Sequence, residues 1–152
     1  AFAPVRYFEV TLHPAERPPQ HEEKWCVAVG ICTLGFRLIG KQPGWDDKSA
    51  ALHSDDGRFF HCNESRNARV PFTAGDTVGC GLRLDDGDPV LFFTKNGKLV
   101  CLECRVSCNG HGSEVEFYPT IGLDSLSPVE VNLGNTPFMF DLLSKELWGT
   151  LK

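Results

Sequence analysis

Three thiols and an imidazole fall within eleven residues, at Cys101, Cys104, Cys108 and His111. Thiolates and imidazole are what structural zinc takes, so the first chemistry to weigh is a metal site. Strand geometry opposes it. Residues 101 and 104 differ by an odd number and so point to opposite faces of a strand. Only a strand break at Glu103 lets Cys104, Cys108 and His111 meet in a loop. Ordinary strand and loop cysteines are the expectation, with no metal and no cofactor; a zinc-supported variant using Cys101–His111 is the alternative. Cys101-x2-Cys104 also lacks the helix N-terminus that lowers a thiol pKa in a redox pair.

Other candidates fail on context. Gly35-Phe36-Arg37-Leu38-Ile39-Gly40-Lys41-Gln42 nearly spells a phosphate-binding loop, but Gln42 replaces the Ser or Thr that holds Mg²⁺. Pro43-Gly44 then stands where a helix must begin to aim its amides at phosphate. The pairs Asp46-Asp47 and Asp55-Asp56 and the run Asp85-Asp86-x-Asp88 never reach the spacing of a calcium loop; aspartate beside glycine is turn chemistry. Cys62 beside His61 is the one adjacent thiol–imidazole pair, and strand neighbours point apart. Neither G-x-S-x-G nor H-E-x-x-H occurs. No enzyme is expected.

Length, charge and cysteine usage bound the domain count, the partners and the setting. Its 152 residues fit one domain with a real core. Fifteen basic against 20 acidic residues give a net charge of −5, which argues against nucleic acid and anionic membranes as partners. The longest uncharged stretch, Trp25–Phe36, has 12 residues and cannot span a bilayer. Seven mostly unclustered cysteines do not read as a disulfide framework, so an intracellular, reducing setting (cytoplasmic or nuclear) is expected. A chain opening on Ala1 is expected to be a domain of a longer protein.

The elements that must position any site are strands. Val78, Cys80, Leu82 and Leu84 alternate with Thr77, Gly79, Gly81 and Arg83, which predicts one buried face. Phe8, Val10 and Leu12 do the same, as do Val129, Val131 and Leu133. Trp25–Cys32 is continuously apolar, the pattern of a strand covered on both faces. Val90–Lys95 and Lys98–Arg105 flank Asn96-Gly97, a strong hairpin signal because both turn positions favour φ > 0. Gly79 and Gly81 on an outer strand face imply the close approach of a ring or backbone. Fifteen glycines and ten prolines exclude a helical bundle. Only Asp141–Leu151, with leucines four apart, reads as helix. The prediction is all-β: a single antiparallel sandwich over about residues 7–141, with a short helical tail over 141–152.

With strands placed, the loops acquire a recognisable spelling. Tyr7-Phe8-Glu9-Val10, Val27-Ala28-Val29-Gly30-Ile31 and Pro43-Gly44-Trp45-Asp46 come first, then Asp55-Asp56-Gly57 and Gly75-Asp76-Thr77-Val78-Gly79-Cys80. Phe92-Phe93-Thr94-Lys95-Asn96-Gly97, Tyr118-Pro119-Thr120-Ile121-Gly122-Leu123 and Val131-Asn132-Leu133-Gly134 complete the order. This series resembles a SPRY (B30.2/SPRY) domain, a concanavalin-like jelly roll, and is most similar to the Ran-binding-protein-nine type. The six residues before Tyr7 are too few for the extra strands of the longer B30.2 form.

The resemblance implies non-catalytic recognition of a short peptide by loops at one end of the sandwich, in modules that recruit substrates to ubiquitin ligases or anchor scaffolds. It places Lys41, Gln42, Pro43, Trp45 and Asp46 in one such loop, Asp124 and Ser125 in another, and Arg66 and Arg69 on the neighbouring rim. Trp45 is either a binding hot spot or a prop beneath its loop, with the prop slightly favoured. The expected partner is a protein or linear peptide motif, met by a monomeric domain. The alternative is a structural domain whose faces pack on the rest of its parent chain.

Overall fold

A computed structural model describes residues 6–17, 25–66, 68–85, 88–107 and 115–144. Among the described residues ten strands form: β1 (Arg6–Leu12), β2 (Cys26–Thr33), β3 (Ser49–His53), β4 (Phe59–His61), β5 (Glu64–Arg66), β6 (Thr77–Asp85), β7 (Asp88–Lys95), β8 (Lys98–Arg105), β9 (Phe117–Asp124) and β10 (Val129–Asn132). They make two five-stranded antiparallel sheets, ordered β10-β1-β6-β7-β8 and β5-β4-β3-β2-β9. The core lies between them. Phe8, Val10 and Leu12 of β1, with Val78, Cys80 and Leu82 of β6, meet Val27, Val29 and Ile31 of β2 and Phe59 of β4. Period-two alternation therefore delivers the buried face that it predicts over Val78, Cys80 and Leu82, but not at Leu84, which is 47% exposed near the end of β6, and β2 is buried along almost its whole length.

The outer face of the first sheet carries a second apolar layer. Gly79 and Gly81 make room for it: a Cβ at Gly81 would run into the Phe92 ring, and one at Gly79 into the Tyr7 hydroxyl. Tyr7 stacks on Phe92 with ring centres 5.8 Å apart and meets Phe138 edge-on at 4.9 Å. Glu9 is buried beside them. Its carboxylate accepts the Tyr7 hydroxyl at 2.9 Å and the backbone N–H groups of Met139 and Phe140 at 3.0 and 3.1 Å. Those bonds strap residues 138–140 across the sheet.

Three expectations need correction. Two β7 residues, Leu91 and Phe93, oppose Cys104 and Cys101, so three steps of β8 match two of β7. That bulge turns both thiols inward, against strict alternation. Cys104 is buried in the core and Cys101 packs against it. Their thiols hydrogen-bond, and that bond, with burial, holds the Cys104 thiol well above its ordinary range. Second, β10 is an edge strand, and Val131 and Leu133 stay exposed instead of burying a face. Third, Asp141–Ser144 is a turn rather than the start of a helix, because the Asp141 carboxylate accepts the Leu143 N–H at 2.9 Å. The remainder of the expected helix, 145–152, lies outside the described residues, as do Cys108 and His111. The Asn96-Gly97 turn forms as predicted, with φ of 50° and 80°.

Candidate functional site

The loop between β2 and β3 lies over the outer face of the second sheet and is built to keep one shape. Gly44 has φ 97°, and a Cβ there would strike the Phe60 backbone. The Asp46 carboxylate accepts the Ser49 hydroxyl at 2.7 Å and the Lys48 N–H at 3.0 Å. The Ser49 hydroxyl in turn accepts the Gly44 N–H at 2.8 Å. Backbone bonds from Cys62 and Asn63 to Asp46 and Gly44 fasten the loop to the turn between β4 and β5. A loop tied this tightly is a preformed surface, which loses little entropy on binding.

Beside it opens a cleft of about 380 Å³, walled by Phe36, Leu38, Lys41, Trp45 and Leu123, among others. Five residues expected from the sequence line it: Lys41, Gln42, Pro43, Trp45 and Asp124. Trp45 is 45% exposed, which corrects the slight preference for a buried prop. Gln42 is the floor: it is buried, and its Oε1 lies where a Cβ on Gly122 would be. Asp46 spends its carboxylate on the loop itself and reaches Lys41 at 3.4 Å. Ser125 faces a different cavity, with Trp25, Asp55 and Thr73, and accepts the Ser127 N–H. Arg66 and Arg69 are exposed and do not line the cleft; Arg66 donates to the Arg105 carbonyl at 3.4 Å.

Phe36, Leu38 and Leu123 were missed. The available signal was Phe36, Leu38 and Ile39, interrupted by Arg37, between Gly35 and Gly40 in a loop too punctuated to be a strand. Leu38 is 81% exposed and Leu123 56%, so with Trp45 they give the cleft an apolar rim.

Behind Trp45 stands His53, buried, with ring centres 6.4 Å apart from Trp45 and 4.3 Å from Phe60. Its Nε2 lies 2.8 Å from the Pro43 carbonyl. A carbonyl only accepts, so Nε2 carries the proton. Cys26 nearby donates its thiol to Asp55 Oδ1 at 3.6 Å. Burial and then the Asp55 charge push that thiol up to about 12, the reverse of an activated nucleophile. The other thiol–imidazole pair departs from expectation. Cys62 sits at φ 54°, past the end of β4, which brings its Sγ to 3.5 Å from His61 Nε2. His61 is itself buried and structural, with Nδ1 2.9 Å from the Ser49 carbonyl and Nε2 3.1 Å from the Ser107 carbonyl and 3.2 Å from its backbone nitrogen.

The family model for the SPRY domain matches residues 5–136. This chain belongs to the SPRY family. A crystal structure of a human SPRY domain is similar with a TM-score of 0.65 at 29% identity, covering 87% of this chain and 78% of that one. Ran-binding protein 9 of Xenopus tropicalis is 34% identical over 140 residues, 91% of this chain and 23% of that protein. The Ran-binding proteins 9/10 homolog of Drosophila melanogaster is 32% identical over 137 residues, and protein ssh4 of Aspergillus fumigatus 33% over 147. This SPRY chain thus spans about a quarter or less of the length of these relatives. SPRY domains are in general protein-interaction modules, and no helix among the described residues is long and apolar enough to cross a membrane.

Proposed function

We propose that this SPRY domain captures a short, extended segment of a partner protein in the Trp45 cleft. The observation that carries this reading is an exposed tryptophan on a loop whose backbone is fixed by Asp46, Ser49 and Gly44, beside an apolar rim of Leu38 and Leu123. A rigid aromatic with a polar N–H is a common hot spot, and a preformed pocket next to it accepts one apolar anchor of the peptide. Lys41 and Asp124 at the margins offer one charge of each sign, which suits orientation of the segment more than raw affinity. The sandwich moves little on binding. The role is recognition without catalysis, by a monomeric domain that recruits or scaffolds for a larger intracellular protein, as in a ubiquitin-ligase adaptor.

A second reading rests on exposed Val131, Leu133 and Met139 along the β10 edge and strap. In it the domain is structural, and this face packs on the rest of the parent chain. Peptide display against the isolated domain separates the two. The first reading predicts enrichment of sequences with a spaced apolar anchor, whose capture is lost in Trp45→Ala and kept in Leu133→Ser. Loss in Leu133→Ser alone favours the second.

A further inference from the structure

Among the described residues, one trio of metal-ligating side chains converges: Cys26, His53 and Asp55. They come from opposite sides of one ladder. Ala28 pairs with His53, and continuing that register by two residues sets Cys26 opposite Asp55, just beyond the end of β3. Two bonds hold this end closed: Ser54 N–H to the Val27 carbonyl at 2.9 Å, and Val27 N–H to the Ser54 hydroxyl at 2.8 Å. One donor atom from each of the three side chains lies within 4.8 Å of the others, and Sγ to Oδ1 is 3.6 Å. Tetrahedral zinc, with Zn–S of about 2.3 Å and Zn–N or Zn–O near 2.0–2.1 Å, separates its ligands by roughly 3.3–3.7 Å. A closure of about an ångström brings the widest pair into that range.

The second layer is already in place. His53 gives its Nε2 to the Pro43 carbonyl, so the ligand atom on this ring would be Nδ1. A backbone carbonyl fixing the tautomer in this way is the usual support of a metal-bound histidine. The donor set is also selective. Thiolate and imidazole are poor ligands for calcium and magnesium, which want oxygen, and suit zinc. Charge balances as well: a thiolate and a carboxylate neutralise a divalent cation at a place where Cys26 and His53 are both buried. Asp55 is exposed and opens the trio to solvent, so a cation has a way in.

We propose that Cys26, His53 and Asp55 form a zinc site with a fourth position left to water or to an incoming ligand. On binding, the Cys26 S–H bond breaks, the sulfur bonds zinc, and the proton leaves to solvent. The metal would tie the Cys26 end of β2 to His53, and through the His53–Pro43 bond to the loop that carries Trp45.

Cobalt(II) is the probe, because thiolate ligation and tetrahedral geometry both show in its absorption. The chelator-stripped, reduced domain is titrated with cobalt and then with zinc. The site predicts one cobalt per chain, a thiolate-to-cobalt charge-transfer band, displacement by zinc, and a Tm that rises with zinc concentration. Cys26→Ser abolishes the band. Asp55→Asn, at an exposed position where folding is least at risk, keeps the metal-free Tm and weakens zinc binding at least about tenfold. The comparator is Cys101→Ser/Cys108→Ser, which leaves the band unchanged. Absence of a band in the wild-type domain overturns the site. So does a band that survives Cys26→Ser and disappears in the comparator, since the metal then belongs to the Cys101–His111 segment.

Discussion

The Trp45 ring faces the His53 imidazole across 6.4 Å, but one is 45% exposed and the other 4%. The pair divides surface from support. In chelator, Trp45→Ala is expected to lose no more than about 1 kcal/mol of stability, since half of its ring already meets water. His53→Ala is expected to lose roughly 2–3 kcal/mol, because it empties a buried site and strips the Pro43 carbonyl of its donor. Urea melts of both variants measure the difference. Equal losses would return Trp45 to the role of a prop.

Register along β6 gives a second contrast. Leu82 is 9% exposed and packs in the core, whereas Leu84, on the same side, is 47% exposed. Leu82→Ala should cost roughly 2–5 kcal/mol. Leu84→Ala should stay within about 0.5 kcal/mol. The midpoints of chemical denaturation report both.

Glu9 anchors the strap. Removing its carboxylate in Glu9→Ala leaves the Met139 and Phe140 N–H groups without their acceptor, while the Tyr7 hydroxyl keeps Thr94 Oγ1 at 2.7 Å. The expected loss is about 2–4 kcal/mol, with faster hydrogen exchange at Met139 and Phe140. An unchanged exchange rate there would mean that the ring contacts of Phe138 and Phe140 suffice.

Stability should fall in alkali. Burial holds the Tyr7 hydroxyl and the Cys80 thiol far above their ordinary values. The folded state therefore keeps protons that the unfolded chain gives up, at about pH 8.5 for thiols and 10 for tyrosine. Fewer protons on the unfolded state means stability is full below those values and declines as pH rises above them toward the folded values. Urea melts from pH 7 upward test the slope. Tyr7→Phe should flatten the part above about pH 10.

Much of this was legible because strands carry a short, strict code. The alternation of Val78, Cys80 and Leu82 gave the buried face, and Gly79 and Gly81 implied the close approach of a ring or backbone without saying that the rings are those of Tyr7 and Phe92. The loop spelling pointed to five of the residues that line the cleft, four in the Trp45 loop and Asp124 at the end of β9. What escaped depends on contacts that spacing does not encode. The β8 bulge sets Cys101 and Cys104 on one side, and a bulge is decided by pairing with β7, not by the β8 sequence. Cys26 and Asp55 stand 29 residues apart and meet only because β2 and β3 share a ladder. Leu123 joins Trp45 because β9 lies beside β2, across the sheet from β3.

Binding in the Trp45 cleft puts its demands on the few side chains that line it. Its most direct test is isothermal titration of a display-selected peptide into the wild-type domain and into Trp45→Ala, Leu123→Ser, Lys41→Ala, Ser125→Ala and Arg69→Ala, with a thermal melt beside each. Trp45→Ala and Leu123→Ser should each weaken Kd tenfold or more, about 1.4 kcal/mol per factor of ten, at nearly unchanged Tm. Lys41→Ala should fall by less, and Ser125→Ala and Arg69→Ala, which lie off the cleft, should bind as wild type. Normal binding by folded Trp45→Ala and Leu123→Ser, with loss in Arg69→Ala or Ser125→Ala, would contradict it and move the site to another face.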